Sequence, residues 1–139
     1  MYKARIPLLP SLMKGIIRFC FCAVIPPQLE VGQNVLFAYN GLGIVIHPRC
    51  KIGDNVTIGA HVTIGGRGGP GVPIIGNNVF LGAGAKILGG IRIGDNARIG
   101  ANAVVLTDVP ENATAVGVPA RIVSKKRDMR TRYTGEIDY

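Results

Sequence analysis

The chain has 139 residues, 47% of them hydrophobic and 17% charged, a length that fits one domain. With no Trp and 6% aromatic residues, it lacks the bulk of a conventional core, while its 20 glycines are about twice the usual share. The formal net charge of +8 serves solubility or favours an anionic ligand, such as a nucleotide phosphate or a membrane surface. It does not point to nucleic acid, because no aromatic residues interleave the basic ones and no reader motif is present.

Residues 1–30 read as an apolar cap carrying Lys3, Arg5, Lys14 and Arg18. Residues 11–25 predict a helix packed over one end of a stack, with contact to a membrane surface as the less favoured alternative. Ile16 to Ile25 is too short to span a bilayer, and Pro26-Pro27 follow where a cleavage site would need small residues. Cys20, Cys22 and Cys50 form neither a metal-site spacing nor a disulfide framework, so a cytoplasmic location is expected.

Residues 31–110 carry a six-residue clock. Aliphatic-glycine pairs stand at Val31-Gly32, Ile52-Gly53, Ile58-Gly59, Ile64-Gly65, Ile75-Gly76, Leu81-Gly82, Ile93-Gly94 and Ile99-Gly100. From Ile75 the aliphatic position recurs at Leu81, Ile87, Ile93, Ile99 and Val105. So short a period predicts an all-β fold, a hexapeptide-repeat β-helix, with three units closing one triangular coil. Polar pairs such as Asp54-Asn55, Asn77-Asn78 and Asp95-Asn96 suit the corners, because Asn and Asp tolerate left-handed backbone angles. One unit cannot bury its face alone, so stacking supplies the stability.

Two irregularities interrupt the clock. Three extra residues fall around Tyr39-Asn40-Gly41-Leu42-Gly43, and a five-residue extension falls within Gly66 to Pro73. The extension reads as a flexible loop with Arg67 as its charge. Insertions in a solenoid are where function is usually grafted. Residues 111–139 read as a closing segment and a basic tail.

The run from Gly43 to Val123 resembles the serine acetyltransferase branch of the hexapeptide-repeat acyltransferases. Four stretches carry the likeness: Gly43-Ile44-Val45-Ile46-His47-Pro48, Val62-Thr63-Ile64-Gly65-Gly66, Leu81-Gly82-Ala83-Gly84-Ala85-Lys86-Ile87-Leu88-Gly89, and Ala115-Val116-Gly117-Val118-Pro119-Ala120-Arg121-Ile122-Val123. The short cap is more similar to compact members that acetylate sugars. The resemblance implies a left-handed parallel β-helix and a homotrimer with active sites between subunits. It implies acetyl-coenzyme A as donor and a small-molecule hydroxyl, of serine or a sugar, as acceptor. A histidine of the family acts as general base on that hydroxyl.

Laid on the family's motifs, the first catalytic histidine falls at Tyr39, after Ala38, and the histidine of the external loop falls at Val72, before Pro73. A second alignment, with one coil deleted, brings the first histidine within one residue of His61. Candidate bases are therefore His61, Tyr39 and His47. An ordinary imidazole titrates near neutrality and an ordinary phenol far above it, which favours a histidine. His47-Pro48 is also a pair that the family carries as a structural element. For coenzyme A, the resemblance implies Gly84 and Ala85, then Ala103 one coil later, along the pantetheine, with Lys125 and Lys126 at the phosphates. Two histidines cannot supply a three-histidine metal set, so no metal is expected. The competing reading is a catalytically impaired, trimeric coenzyme A-binding or scaffold protein. A purely structural β-helix ranks below both, because the corner residues vary.

Overall fold

Short branched residues every six positions, each followed by a tight corner, leave room only for very short strands. A computed structural model describes residues 8–125, and within them the repeat folds as such strands around a triangular stack. The first sheet runs β1 (Glu30–Val31), β4 (Lys51–Ile52), β7 (Ile74–Ile75), β10 (Arg92–Ile93). The second runs β2 (Leu36–Phe37), β5 (Thr57–Ile58), β8 (Phe80–Leu81), β11 (Arg98–Ile99), β13 (Ala113–Val116), β14 (Arg121–Lys125). The third runs β3 (Val45–Ile46), β6 (Thr63–Gly65), β9 (Lys86–Leu88), β12 (Val104–Val105). Every pairing is parallel except β13 with β14, an antiparallel closing hairpin. The expected parallel β-helix is therefore present, four coils tall.

The register stacks like on like: Ile52 on Ile75, Ile58 on Leu81, Ile64 on Ile87. These side chains, with Ile93, Ile99 and Val105, fill the interior at 4% exposure or less. Burying each contributes about 1.5–3 kcal/mol. The first coil is less sealed, since Val31, which stacks on Ile52, remains exposed.

Three edges join the three sheets, and they differ in chemistry. The edge between the first and second sheets places Asn34, Asn55, Asn78, Asn96 and Asn112 in the left-handed region. There Asp54 Oδ1 accepts the Gln33 N–H at 2.8 Å, Asn77 Oδ1 accepts the Asp54 N–H at 2.9 Å, and Asp95 Oδ1 accepts the Asn77 N–H at 2.8 Å. Each coil's acid or amide thus closes the turn of the coil before it. The edge between the second and third sheets carries the turn Ala38–Gly41, then Ala60-His61, Ala83-Gly84 and Ala101-Asn102. The edge between the third and first sheets carries His47 and the extension Gly66 to Pro73.

Helix α1 spans Leu8–Phe21, beginning before and ending short of the predicted 11–25. Cys22 turns left-handed (φ 50°) and stops it, and the Gly43 N–H donates to the last carbonyl, Phe21 O, at 2.8 Å. Val24 then pairs with Val45 on the third sheet. The expectation that this helix packs over the end of the stack is corrected. The side chains described on α1, from Leu9 to Phe21, are exposed, while Ala23 just after it is buried. The strand-like segment after the helix lies on the first coil and takes the place foreseen for the helix.

The extension is also better held than a flexible loop. The Arg49 Nη2 donates to Pro70 O at 2.9 Å, and a Cβ built on Gly71 falls 2.7 Å from Gly90 Cα. Its far end turns inward: Val72 packs against the core and Pro73 is buried.

Candidate active site

The edge between the second and third sheets gathers most of the residues singled out from sequence. The turn Ala38–Gly41 lies at its first coil and holds Tyr39 and Asn40 at φ of 52° and 56°. A left-handed tyrosine costs on the order of 1–3 kcal/mol unless its surroundings fix it, and such strain concentrates at functional positions. Tyr39 is 76% exposed.

One coil below, His61 occupies a left-handed corner (φ 58°). The equivalent corner residue in most other units is Asn, so an imidazole here departs from what the coil itself prefers. Its backbone is fixed from two directions. The His61 N–H donates to Leu42 O at 2.8 Å, and Lys86 Nζ donates to His61 O at 2.7 Å. The ring packs over Gly43 (φ 65°), where any Cβ would collide with Nδ1. Glycine is thus required at 43 twice: for its left-handed φ and for room for the imidazole. The side chain of His61 is exposed.

Further along the edge the surface is low. Ala83, Gly84, Ala101 and Asn102 present nothing longer than an asparagine. The space a Cβ would take at Gly84 (φ 76°) is filled by Asn102 Oδ1. Ala85 and Ala103 have fully buried side chains, and their carbonyls accept the Thr63 and Lys86 N–H groups at 2.9 and 2.8 Å. Their side chains support the track from beneath. The closing segment seals the far end: the Val104 N–H donates to Gly117 O and the Ala120 N–H to Val104 O. Arg121 follows, exposed. Lys125 closes β14 opposite Ala113, and Lys126 lies outside the described residues.

His47 stands apart, on the edge between the third and first sheets. Its Nδ1 accepts the Arg49 N–H at 3.2 Å, and its carbonyl accepts the Cys50 N–H at 3.0 Å. The ring therefore braces its own turn. Val72 shares this edge, with the extension. Cys50 beside it is buried, which pushes its thiol above the ordinary value despite the opposing His47 hydrogen bond and the Arg49 charge. Among the described residues no three His, Cys, Asp or Glu side chains cluster as metal ligands. Sequence reasoning did not find Lys86 as the partner of His61 or Asn102 as the filler of the Gly84 space. Both contacts join different coils, and only the stacking register reveals them.

A parallel β-helix of hexapeptide coils, with one low, small-residue edge and inserted turns, defines the chain as a hexapeptide-repeat protein. Residues 73–107 match the family described as bacterial transferase hexapeptide (six repeats), and residues 49–74 match the hexapeptide repeat of succinyl-transferase. A serine acetyltransferase of Helicobacter pylori is 44% identical over 130 residues, covering 91% of this chain and 75% of that protein. One of Staphylococcus xylosus is 45% identical over 128 residues, covering 90% and 59%. The chain belongs to the serine acetyltransferase family. Among solved structures, a serine acetyltransferase in complex with cysteine superposes with a TM-score of 0.78 at 43% identity, covering 87% of this chain and 48% of that one. A serine acetyltransferase in complex with CoA gives 0.75 at 43%, covering 84% and 48%. The chain spans about half to three quarters of the length of the relatives it matches.

Proposed function

We propose that the chain is an acetyl-coenzyme A-dependent O-acetyltransferase acting on a small hydroxyl acceptor, serine first among them. The observation that carries this reading is His61: an exposed imidazole packed over Gly43, its backbone held by Leu42 and Lys86, in a corner the repeat otherwise gives mostly to Asn. The donor supplies an acyl group already activated as a thioester. His61 takes the acceptor's hydroxyl proton as its oxygen bonds to the acetyl carbon. The carbon–sulfur bond breaks, and the coenzyme leaves as a thiolate that takes up a proton. Tyr39, on the same edge, is the second candidate for contact with the acceptor. His47 is assigned to its turn.

The low track of Ala83, Gly84 and Ala101 suits a thin, linear pantetheine arm, with Arg121, Lys125 and Lys126 offered to the phosphates. A homotrimer gives the extension its use, since the loop edge of one subunit would then face the low edge of its neighbour.

The test is release of coenzyme A thiol from acetyl-coenzyme A with serine, homoserine and sugar acceptors. Serine-dependent turnover that His61→Asn abolishes supports the proposal, whereas sugar-dependent turnover replaces the acceptor but keeps the chemistry. Tyr39 and Val72, standing where the family's histidines fall, favour a second reading: a catalytically impaired member that still binds the coenzyme. Tight coenzyme A binding by calorimetry without turnover, together with turnover gained in Tyr39→His, would establish that reading instead.

A further inference from the structure

Helix α1 shows two chemically opposed faces. Leu9, Leu12, Met13, Ile16 and Phe19 recur at helical spacing, and all are more than half exposed, Phe19 at 88%. Ser11, Lys14 and Arg18 lie on the opposite side. Lys14 and Arg18 line a groove of about 280 Å³ against Ala23 to Gln28, so the cations sit where helix meets body and the apolar stripe points away. No residue before Glu30 is acidic, while Lys3, Arg5, Lys14 and Arg18 are basic, and Glu30 itself pairs with Lys51 at 3.1 Å.

We propose that α1 is an in-plane anchor that docks the protein on an anionic lipid surface. The charge selects this occupant. Four cations without a carboxylate repel the same segment of a second copy and attract a layer of anionic headgroups. The length fits as well. Fourteen residues do not cross a bilayer, and no described helix is long and apolar enough to do so, but a helix with an apolar stripe on one face and cations on the other lies stably at the headgroup boundary. The bond from Gly43 to Phe21 O ties the end of this helix to the turn that carries Tyr39, so anchor and stack are joined rather than loosely tethered. The proposal stands independently of the acetyltransferase reading.

Co-sedimentation of the full chain with phosphatidylcholine vesicles, with and without phosphatidylglycerol, tests it. Wild type is expected to bind the mixed vesicles, with binding falling as salt rises. Lys14→Gln or Arg18→Gln should each weaken binding about fivefold. Leu12→Gln with Ile16→Gln and Phe19→Gln should weaken it by more than about tenfold. All three apolar sites are exposed, so circular dichroism should be unchanged. The chain has no Trp, so Phe19→Trp gives a single tryptophan, excited selectively over the four tyrosines, whose emission shifts to the blue on insertion. Absence of vesicle binding at low salt, or equal binding by the triple variant, overturns the proposal. So does a wild-type oligomer that the triple variant dissociates without any vesicle binding, which would assign the stripe to a second copy.

Discussion

Two edges of this solenoid meet the same backbone demand with opposite chemistry. Both turn through a left-handed residue in each coil. On the edge between the first and second sheets, Asp54, Asn77 and Asp95 each turn Oδ1 onto an amide of the preceding coil. On the edge between the second and third sheets, alanines and a glycine make much of the corner; Asn102 turns its Oδ1 into the space beside Gly84, while His61 keeps an exposed side chain. A repeat can therefore carry chemistry where small residues satisfy the turn, and spends it where acids and amides do.

The sharpest way to break this comparison is His61→Asn, which restores the repeat's own corner residue. Turnover should fall about 10²–10⁴-fold while the melting temperature stays level or rises, a pairing that a merely structural histidine would not give. Thiol release and a thermal scan on one preparation decide it. Gly43→Ala comes next. The added methyl collides with the His61 ring at a positive φ, so a loss of about 1–3 kcal/mol is expected in denaturant titration, with activity lost in parallel. Asp54→Ala removes the acceptor of the Gln33 amide on the other edge. It should cost about 1 kcal/mol and leave turnover unchanged; a change in turnover would erase the distinction between the edges. The smallest effect belongs to Lys51→Ala. Its pair with Glu30 is exposed on both sides, and unfolding should shift by less than about 0.5 kcal/mol. Thiol labelling at neutral pH gives a check on the core: Cys20 and Cys22 are exposed and should react, while buried Cys50, its thiol pushed up by desolvation, should stay protected until the coil opens.

Much of the fold was legible because the spacing of Ile75, Leu81, Ile87, Ile93, Ile99 and Val105 is itself the geometry of a coil. The two insertions were legible as breaks in that spacing. Helix α1 was legible as a helix but not in its placement, since hydrophobic pattern says which face is apolar and not what covers it. The site was legible in part. A histidine at an Asn position is visible in the sequence, but its neighbours are not.

The sequence by itself determined the period, the inward residues and the corners, because these depend on residues at most six positions apart. Only the tertiary structure decided that Tyr39, His61, Gly84 and Asn102 share one edge while His47 and Val72 lie on another. It also decided that Lys86 holds the His61 carbonyl, that Asn102 fills the space beside Gly84 and that Val72 faces the core. Each of these depends on which coil stacks on which after two insertions have shifted the register, and that is fixed by parallel pairing across whole coils rather than by any local preference.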